Sequence, residues 1–512
     1  MSRVRRSVLN YASSLLLQSV TLAVGIFSTP LLLKWLGDDR FGAFRSVADW
    51  ITHLKILELG LAGAMLPLLA GAIAQQNRSQ VELTLAVAIR SYCKVLFLML
   101  GAAIVLSFAI LHLVPVQQSL ATELHTAYWI SLLSILLLPF TPFRLLIEAS
   151  HRGDIINLTY ILQSLIITSV SLYLASQGLG MPGQFLAIAI GATVATIFVS
   201  WKSLRQYPRT LKVVIFASTQ ATQPVREQLQ KLSTPTLIYY LFTQIGLFTD
   251  NLVVAYFLGP ASVVPFVMTQ RLFAIAQAQV QSVGNATWSS LADLYTKGEL
   301  EQFNLRLVQL TALVATFGMV LIIPILVYNF WFVQLWVGAE RFAGLGVSVL
   351  AAMNAVMMGV LSLWGWCFSG TGNVAAIARL SALVGILNIS VSLLATPSLQ
   401  LIGPLLGTFV SFFGLYFWGM LYQLKRKFGA SPRSLLTAVV RPFLVALLYV
   451  PCATWFAQTY PPQGWLSLAV SMIAIALIFL GIAWLSLLNS IERFEWSQRF
   501  KQVLFRSTSM LR

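Results

Sequence analysis

From its first turns to its last, the sequence alternates long apolar stretches with short polar segments rich in lysine and arginine. Each apolar stretch holds about 20 to 30 residues, enough to cross a hydrocarbon core as a helix. This alternation excludes most other folds. With 58% of its 512 residues hydrophobic and only 10% charged, the chain cannot cover itself with polar surface, because a soluble domain is about a quarter charged. The mean hydropathy of +0.81 says the same. We therefore read an all-α polytopic membrane protein of about fourteen transmembrane helices.

The spans are expected near residues 9–33, 41–73, 84–112, 125–147, 155–176, 184–203, 232–258, 262–292, 304–330, 343–368, 374–396, 401–423, 435–458 and 465–488. The first begins behind Arg3, Arg5 and Arg6, as a signal peptide does, but it outruns a secretory apolar core and reads as a retained helix. The net charge of +17 does not mark a nucleic-acid binder, because the 33 basic residues recur between spans instead of gathering on one segment. Cys93, Cys367 and Cys452 are isolated, so neither a disulfide framework nor a zinc site is expected. No cofactor is expected either.

Orientation follows from loop charge, because cytoplasmic loops carry the lysine and arginine excess. With the N-terminus inside, 27 basic residues fall on inside segments, while the outside loops hold only Lys34, Arg40 and Arg341. A missed span would flip every later loop and destroy that asymmetry. The reading places both termini on the cytoplasmic side of the membrane. Trp35, Trp129, Trp331 and Trp336 fit an outer aromatic belt and Trp201 an inner one. The tail 491–512 is expected on the inner surface or solvated beside it.

The chain also repeats itself. Leu36-Gly37 with Phe44 matches Leu258-Gly259 with Phe266, and Leu69-Ala70 matches Leu291-Ala292, all at a shift of 222. Gly153-Asp154-Ile155 resembles Gly372-Asn373-Val374, and Ser171 with Leu174 resembles Ser390 with Leu393, at a shift of 219. Two parallel six-helix halves plus two extra C-terminal helices follow, with a cleft expected where the halves meet. The expected domains are an N-terminal half at 1–203, a basic cytoplasmic linker at 204–231, a C-terminal half at 232–424, two extra spans at 425–490 and a basic tail at 491–512.

The second span is the anomaly, since it carries Arg45, Asp49, His53, Lys55 and Glu58. A central charge costs about 2.5 to 3.5 kcal/mol on the insertion scale, so these groups must face protein or water. Arg45, Asp49 and His53 share one helical face, with Lys55 at its edge and Glu58 one turn beyond. The seventh span adds Asp250 and the eighth adds Arg271, which the repeat maps onto Asp49. Two readings stay open. The charges are ion pairs that hold helices together, or they line a wet cleft whose cations bind an anionic substrate, with carboxylates balancing charge or carrying a coupling ion. Arginine suits phosphate oxygens because its planar fork binds them bidentately. Substrate binding is thus expected of Arg45, Lys55 and Arg271, and ion coupling or charge balance of Asp49, His53, Glu58 and Asp250.

Several motifs carry a resemblance. The run from Thr29-Pro30 through Leu36-Gly37-Asp38 to Phe41-Gly42 resembles the opening of bacterial polysaccharide (O-antigen type) flippases of the multidrug/oligosaccharidyl-lipid/polysaccharide (MOP) exporter superfamily. Leu57-Glu58-Leu59-Gly60-Leu61 is similar to their acidic-Leu-Gly-Leu signature, with Glu where Asp is usual. Asp250-Asn251-Leu252 through Phe257-Leu258-Gly259-Pro260 to Arg271-Leu272 resembles their seventh and eighth helices, and Leu335-Trp336-Val337-Gly338 and Gly370-Thr371-Gly372-Asn373 their later motifs. The resemblance spans about residues 5–425. Pro67 departs from it, because members often carry a basic residue there.

The resemblance implies a non-enzymatic flippase that moves an undecaprenyl-pyrophosphate-linked oligosaccharide to the outer leaflet by alternating access coupled to an ion gradient. The implied partners are the lipid-linked oligosaccharide, membrane lipids, a coupling ion (proton or sodium) and other polysaccharide-assembly membrane proteins, with no nucleic acid. By position, Arg271 and Asp250 carry over from the motif, and Arg45, Asp49 and Lys55 only as cavity-lining charges. The last two spans resemble the extra helices of lipid II flippases, although the rest of the chain looks less like that branch. Two other functions stand beside this one. A multidrug extrusion antiporter shares the fold but favours carboxylates and aromatics in its cleft. A membrane polymerase or glycosyltransferase needs a sizeable outer loop, and none here much exceeds a dozen residues.

Overall fold

The computed structural model describes residues 3–248, 250–487 and 493; within these, the side chains of 3–8, 11, 53, 56, 57, 59, 219, 234–236 and 238–248 lie outside the description. The expected tail 491–512 falls outside it too, Arg493 excepted. Every expected crossing meets a helix. In chain order these are α1 (Arg3–Ala74), α2 (Arg78–Leu113), α3 (Gln118–Ser131), α4 (Thr141–Ala149), α5 (Gly153–Ser176), α6 (Gly180–Gln206), α7 (Thr210–Phe216), α8 (Thr219–Phe248), α9 (Asp250–Leu258), α10 (Val263–Thr296), α11 (Leu300–Val337), α12 (Leu345–Gly370), α13 (Ala375–Leu399), α14 (Ile402–Phe409), α15 (Trp418–Phe428), α16 (Pro432–Thr459) and α17 (Trp465–Leu487).

Among the described residues, eleven helical stretches are long and apolar enough to cross a membrane. The expected crossings outside this set are the second, seventh and eighth, the three in which the sequence places charges.

The first two spans run as one helix, interrupted only at Gly37, whose backbone (φ 73°, ψ 170°) is not helical. Its repeat partner Gly259 has nearly the same backbone (φ 85°, ψ 159°), a region that costs little only without a Cβ. The motif of the opening span and that of the seventh also meet physically: a Cβ at Gly42 would run into the Pro260 carbonyl. The fourth span is not the single helix expected. Pro139 and Pro142 each lack an amide donor, and between α3 and α4 the chain passes through two short 3-10 turns. The twelfth contains a π-helical segment, Val410–Phe417, between α14 and α15. The basic connection 204–231 folds into α7 and the opening of α8.

The chain forms two compact units, Met1–Val267 with Ser381–Gly407, and Met268–Leu380 with Thr408–Arg512. In the first, Ala43, Val47 and Ile51 of α1 pack with Tyr92, Met99 and Ala103 of α2 and Tyr128 of α3 in one buried cluster. Tyr128 donates its hydroxyl to the Ala103 carbonyl at 2.6 Å. In the second, α11 packs against α12, α16 and α17. Trp364 is fully buried and donates to Thr311 Oγ1 at 3.0 Å, and Tyr449 of α16 donates to the Ile475 carbonyl of α17 at 3.1 Å. Trp35, Trp129 and Trp201 are exposed, as an aromatic belt requires, but Trp336 is buried beside Phe332 and belongs to the core.

Candidate functional site

In the first unit the charged residues of α1 fall into two groups. Nearest the opening motif, Asp49 Oδ2 accepts a hydrogen bond from Asn251 Nδ2 at 2.7 Å. Asn251 follows Asp250 on α9. The neighbouring Arg45 is half-buried, and its Nε is enclosed with no hydrogen-bond partner among the described residues. An enclosed donor left without an acceptor costs about 1–3 kcal/mol or more. A position that tolerates this cost is suited to an acceptor that comes and goes. The His53 side chain lies outside the described residues.

Further along α1, Glu58 is half-buried and interacts with Arg144, the Thr141 side chain and Lys55. Arg144 stands on α4, donates to Tyr160 Oη of α5 at 3.0 Å, and pairs with Glu148 at 3.8 Å. Tyr92 of α2 is fully buried against the same group, and its hydroxyl has no hydrogen-bond partner among the described residues. Two cations and two carboxylates from α1 and α4 thus share one site, with tyrosines from α2 and α5. Sequence reasoning placed Lys55 and Glu58 together by their spacing, but counted Arg144 with the loop charges and passed over Glu148. The signal was there: Arg144 and Glu148 are one turn apart at the end of an apolar span, spaced to pair.

In the second unit Arg271 is half-buried on α10. The helix is pinned just before it. Asn329 of α11 donates to the Thr269 carbonyl at 2.9 Å and to Ser348 Oγ of α12 at 3.0 Å, and Thr269 Oγ1 accepts from the Ala343 amide at 2.7 Å. Beyond Arg271, α10 exposes Ala274, Ala278, Ser282, Asn285 and Ser289. At 3.6 residues per turn these share a stripe with Arg271. The opposite face, with Phe273, Ala276, Val280 and Leu291, is buried. The exposed faces of the other spans look different: α17 exposes Leu466, Val470, Ile473 and Leu477. The stripe carries Arg271, Asn285 and two serines, and the Ser282 hydroxyl donates to the Gln279 carbonyl of its own helix at 2.6 Å. The sequence reading found Arg271 but not this stripe.

No family model and no curated protein sequence matches the chain. Solved structures do. The lipid II flippase MurJ in an inward closed conformation superposes with a TM-score of 0.69 at 15% identity, over 95% of this chain and 100% of its own. A multidrug resistance MATE family transporter of the MOP superfamily, inward-facing, gives 0.61 at 14% identity, over 82% of this chain and 99% of its own. A MOP superfamily transporter from Pyrococcus furiosus, described as having a binding pocket of reverse polarity, gives 0.54 at 14% identity, over 82% of this chain and 96% of its own. The chain has the fold of the MOP superfamily transporters.

Proposed function

We propose that this protein is a flippase for a lipid-linked anionic oligosaccharide, an undecaprenyl-pyrophosphate-linked polysaccharide precursor, working by alternating access with both termini in the cytoplasm. The observation that carries the reading is the exposed stripe of α10 headed by Arg271, which we read as a water-facing path through apolar surroundings. In the first unit Arg45, whose Nε is enclosed with no hydrogen-bond partner among the described residues, offers a guanidinium suited to phosphate oxygens or acidic sugars. Asp49, Asp250 and the group around Glu58 supply carboxylates that balance the empty site or carry the coupling ion, a proton or sodium. Lys55 lies within that balanced group, so its contact with substrate is indirect.

The likeness to MurJ favours a lipid-linked cargo over a soluble drug. It leaves about 5% of this chain outside. That is fewer residues than the 28 of α16 and the 23 of α17 together, so the match covers part of this helix pair. Their exposed leucines, Leu448 and Leu466 foremost, suit a lipid tail. The basic character of the path also argues against organic cations.

Deletion of the gene in its host tests the reading. Lipid-linked oligosaccharide is expected to accumulate in the cytoplasmic leaflet, with restoration by the wild type but not by Arg271→Ala at equal protein level. Drug hypersensitivity without that accumulation contradicts it, and a fully active Arg271→Ala removes the arginine from the account.

A further inference from the structure

The short helix α7 has no part in the proposed transport path, yet it is fixed with care. The Arg90 guanidinium of α2 donates to the Val214 carbonyl at 2.9 Å and to the Ala217 carbonyl at 3.0 Å, satisfying acceptors at the end of α7 that have no partner within the helix. Glu82 of α2 accepts from the Arg209 amide at 3.2 Å at its start. Thr210 is fully buried, and Val214 packs against Ile89, Phe143 and Ile147. So held, α7 turns Leu211, Ile215 and Phe216 outward at 50%, 69% and 79% exposure.

The depth of α7 follows from α6. That helix has 27 residues, about 40 Å at 1.5 Å per residue, against a hydrocarbon core of about 30 Å. Its final turns carry Arg205, whose guanidinium lies 4.0 Å from the Trp201 ring, and Lys202, whose Nζ lies 5.8 Å from the Phe198 ring. Cations on aromatic rings at the end of a span mark the boundary between acyl chains and headgroups. Only Tyr207, Pro208 and Arg209 separate α6 from α7, a reach of about 10 Å, so α7 lies at that boundary. Beside it a groove of about 520 Å³ is lined by Pro208, Arg209, Lys212, Val213, Phe216 and Ala217. Among the described residues neither the Arg209 guanidinium nor the Lys212 ammonium has a side-chain partner, and both are exposed.

We propose that α7 and the end of α6 form a binding ledge for an anionic phospholipid of the surrounding leaflet. The phosphodiester lies between Arg209 and Lys212, and its acyl chains lie along Leu211, Ile215 and Phe216. Charge selects the occupant, because two unpartnered cations over an apolar floor match a headgroup that is negative and chains that are not. A zwitterionic lipid cancels the attraction within its own headgroup. Arg90 and Glu82 couple the ledge to α2, so bound lipid braces the first unit from outside its core.

The full-length protein in dodecyl maltoside, titrated with dioleoyl phosphatidylglycerol or dioleoyl phosphatidylcholine and followed by native mass spectrometry, tests this. Wild type is expected to retain one phosphatidylglycerol in preference to phosphatidylcholine. Each basic residue near an anionic surface contributes roughly fivefold, so Arg209→Gln/Lys212→Gln weakens that binding about 25-fold and leaves phosphatidylcholine unchanged. Unchanged phosphatidylglycerol occupancy, or no preference in the wild type, overturns the proposal. Should the double variant fail to fold, Phe216→Cys carrying a fluorophore, with Cys93, Cys367 and Cys452 replaced by serine, decides the matter in phosphatidylglycerol nanodiscs. Quenching by doxyl-labelled phosphatidylglycerol supports the ledge, whereas quenching by aqueous iodide alone points to a soluble partner and overturns it.

Discussion

A single arginine shows what the sequence held and what it hid. Arg144 sits near the end of an apolar span, where lysine and arginine ordinarily mark the cytoplasmic side, and charge counting treats it so. Folding turns it toward Glu58 of α1, Glu148 of its own helix and Tyr160 of α5. Sequence spacing can pair residues one turn apart on one helix, as it did for Lys55 and Glu58. It cannot say which neighbouring helix brings the third partner. Removing Arg144 takes a cationic partner from two partly enclosed carboxylates, Glu58 and Glu148. Because about a third of each side chain in the Arg144–Glu148 pair stays exposed, the loss is discounted to about 1–3 kcal/mol. Arg144→Ala should therefore lower the unfolding temperature in detergent, and adding Glu58→Gln should recover part of it. An unchanged midpoint in the single variant contradicts the network.

At the scale of elements, the all-helical, multi-pass character was legible because hydropathy repeats at helix length, and every expected crossing meets a helix. The interruptions were less so. The sequence marks Gly37 and Gly259 as repeat partners, but their shared left-handed backbone and the approach of Gly42 to Pro260 are tertiary facts. Gly42→Ala should destabilise the first unit by about 1–3 kcal/mol, since the carbonyl it meets is backbone and cannot swing away. Gly71→Ala, on the same helix with nothing near its added methyl, should be neutral or slightly stabilising. Equal effects would remove the close approach from the account.

The stripe of α10 escaped notice for a related reason: Ser282, Asn285 and Ser289 are unremarkable singly, and only the burial of the opposite face shows that they look outward together. Two kinds of exposure can be told apart by experiment. A cysteine at Ser282 should react with a small charged thiol reagent added from water, while one at Ile473 in the middle of α17, 59% exposed, should be protected by lipid. Equal protection at both would place the stripe against lipid and remove the aqueous path.

For the whole molecule, composition and loop charge were enough to name an all-helical, multi-pass membrane protein, and the comparison with solved structures supplies its fold. The cargo is one step further. It depends on three cations of the expected spans, Arg45, Lys55 and Arg271, of which Lys55 stands within a balanced group, and on a final helix pair that the MurJ superposition covers in part. The most direct measurement puts the purified protein in proteoliposomes with undecaprenyl-pyrophosphate-linked oligosaccharide and follows protection of the sugar from an impermeant glycosidase. Wild type should move the sugar between leaflets and Arg271→Ala should not. Absence of transfer by a folded wild type, under an imposed proton or sodium gradient, would contradict the account.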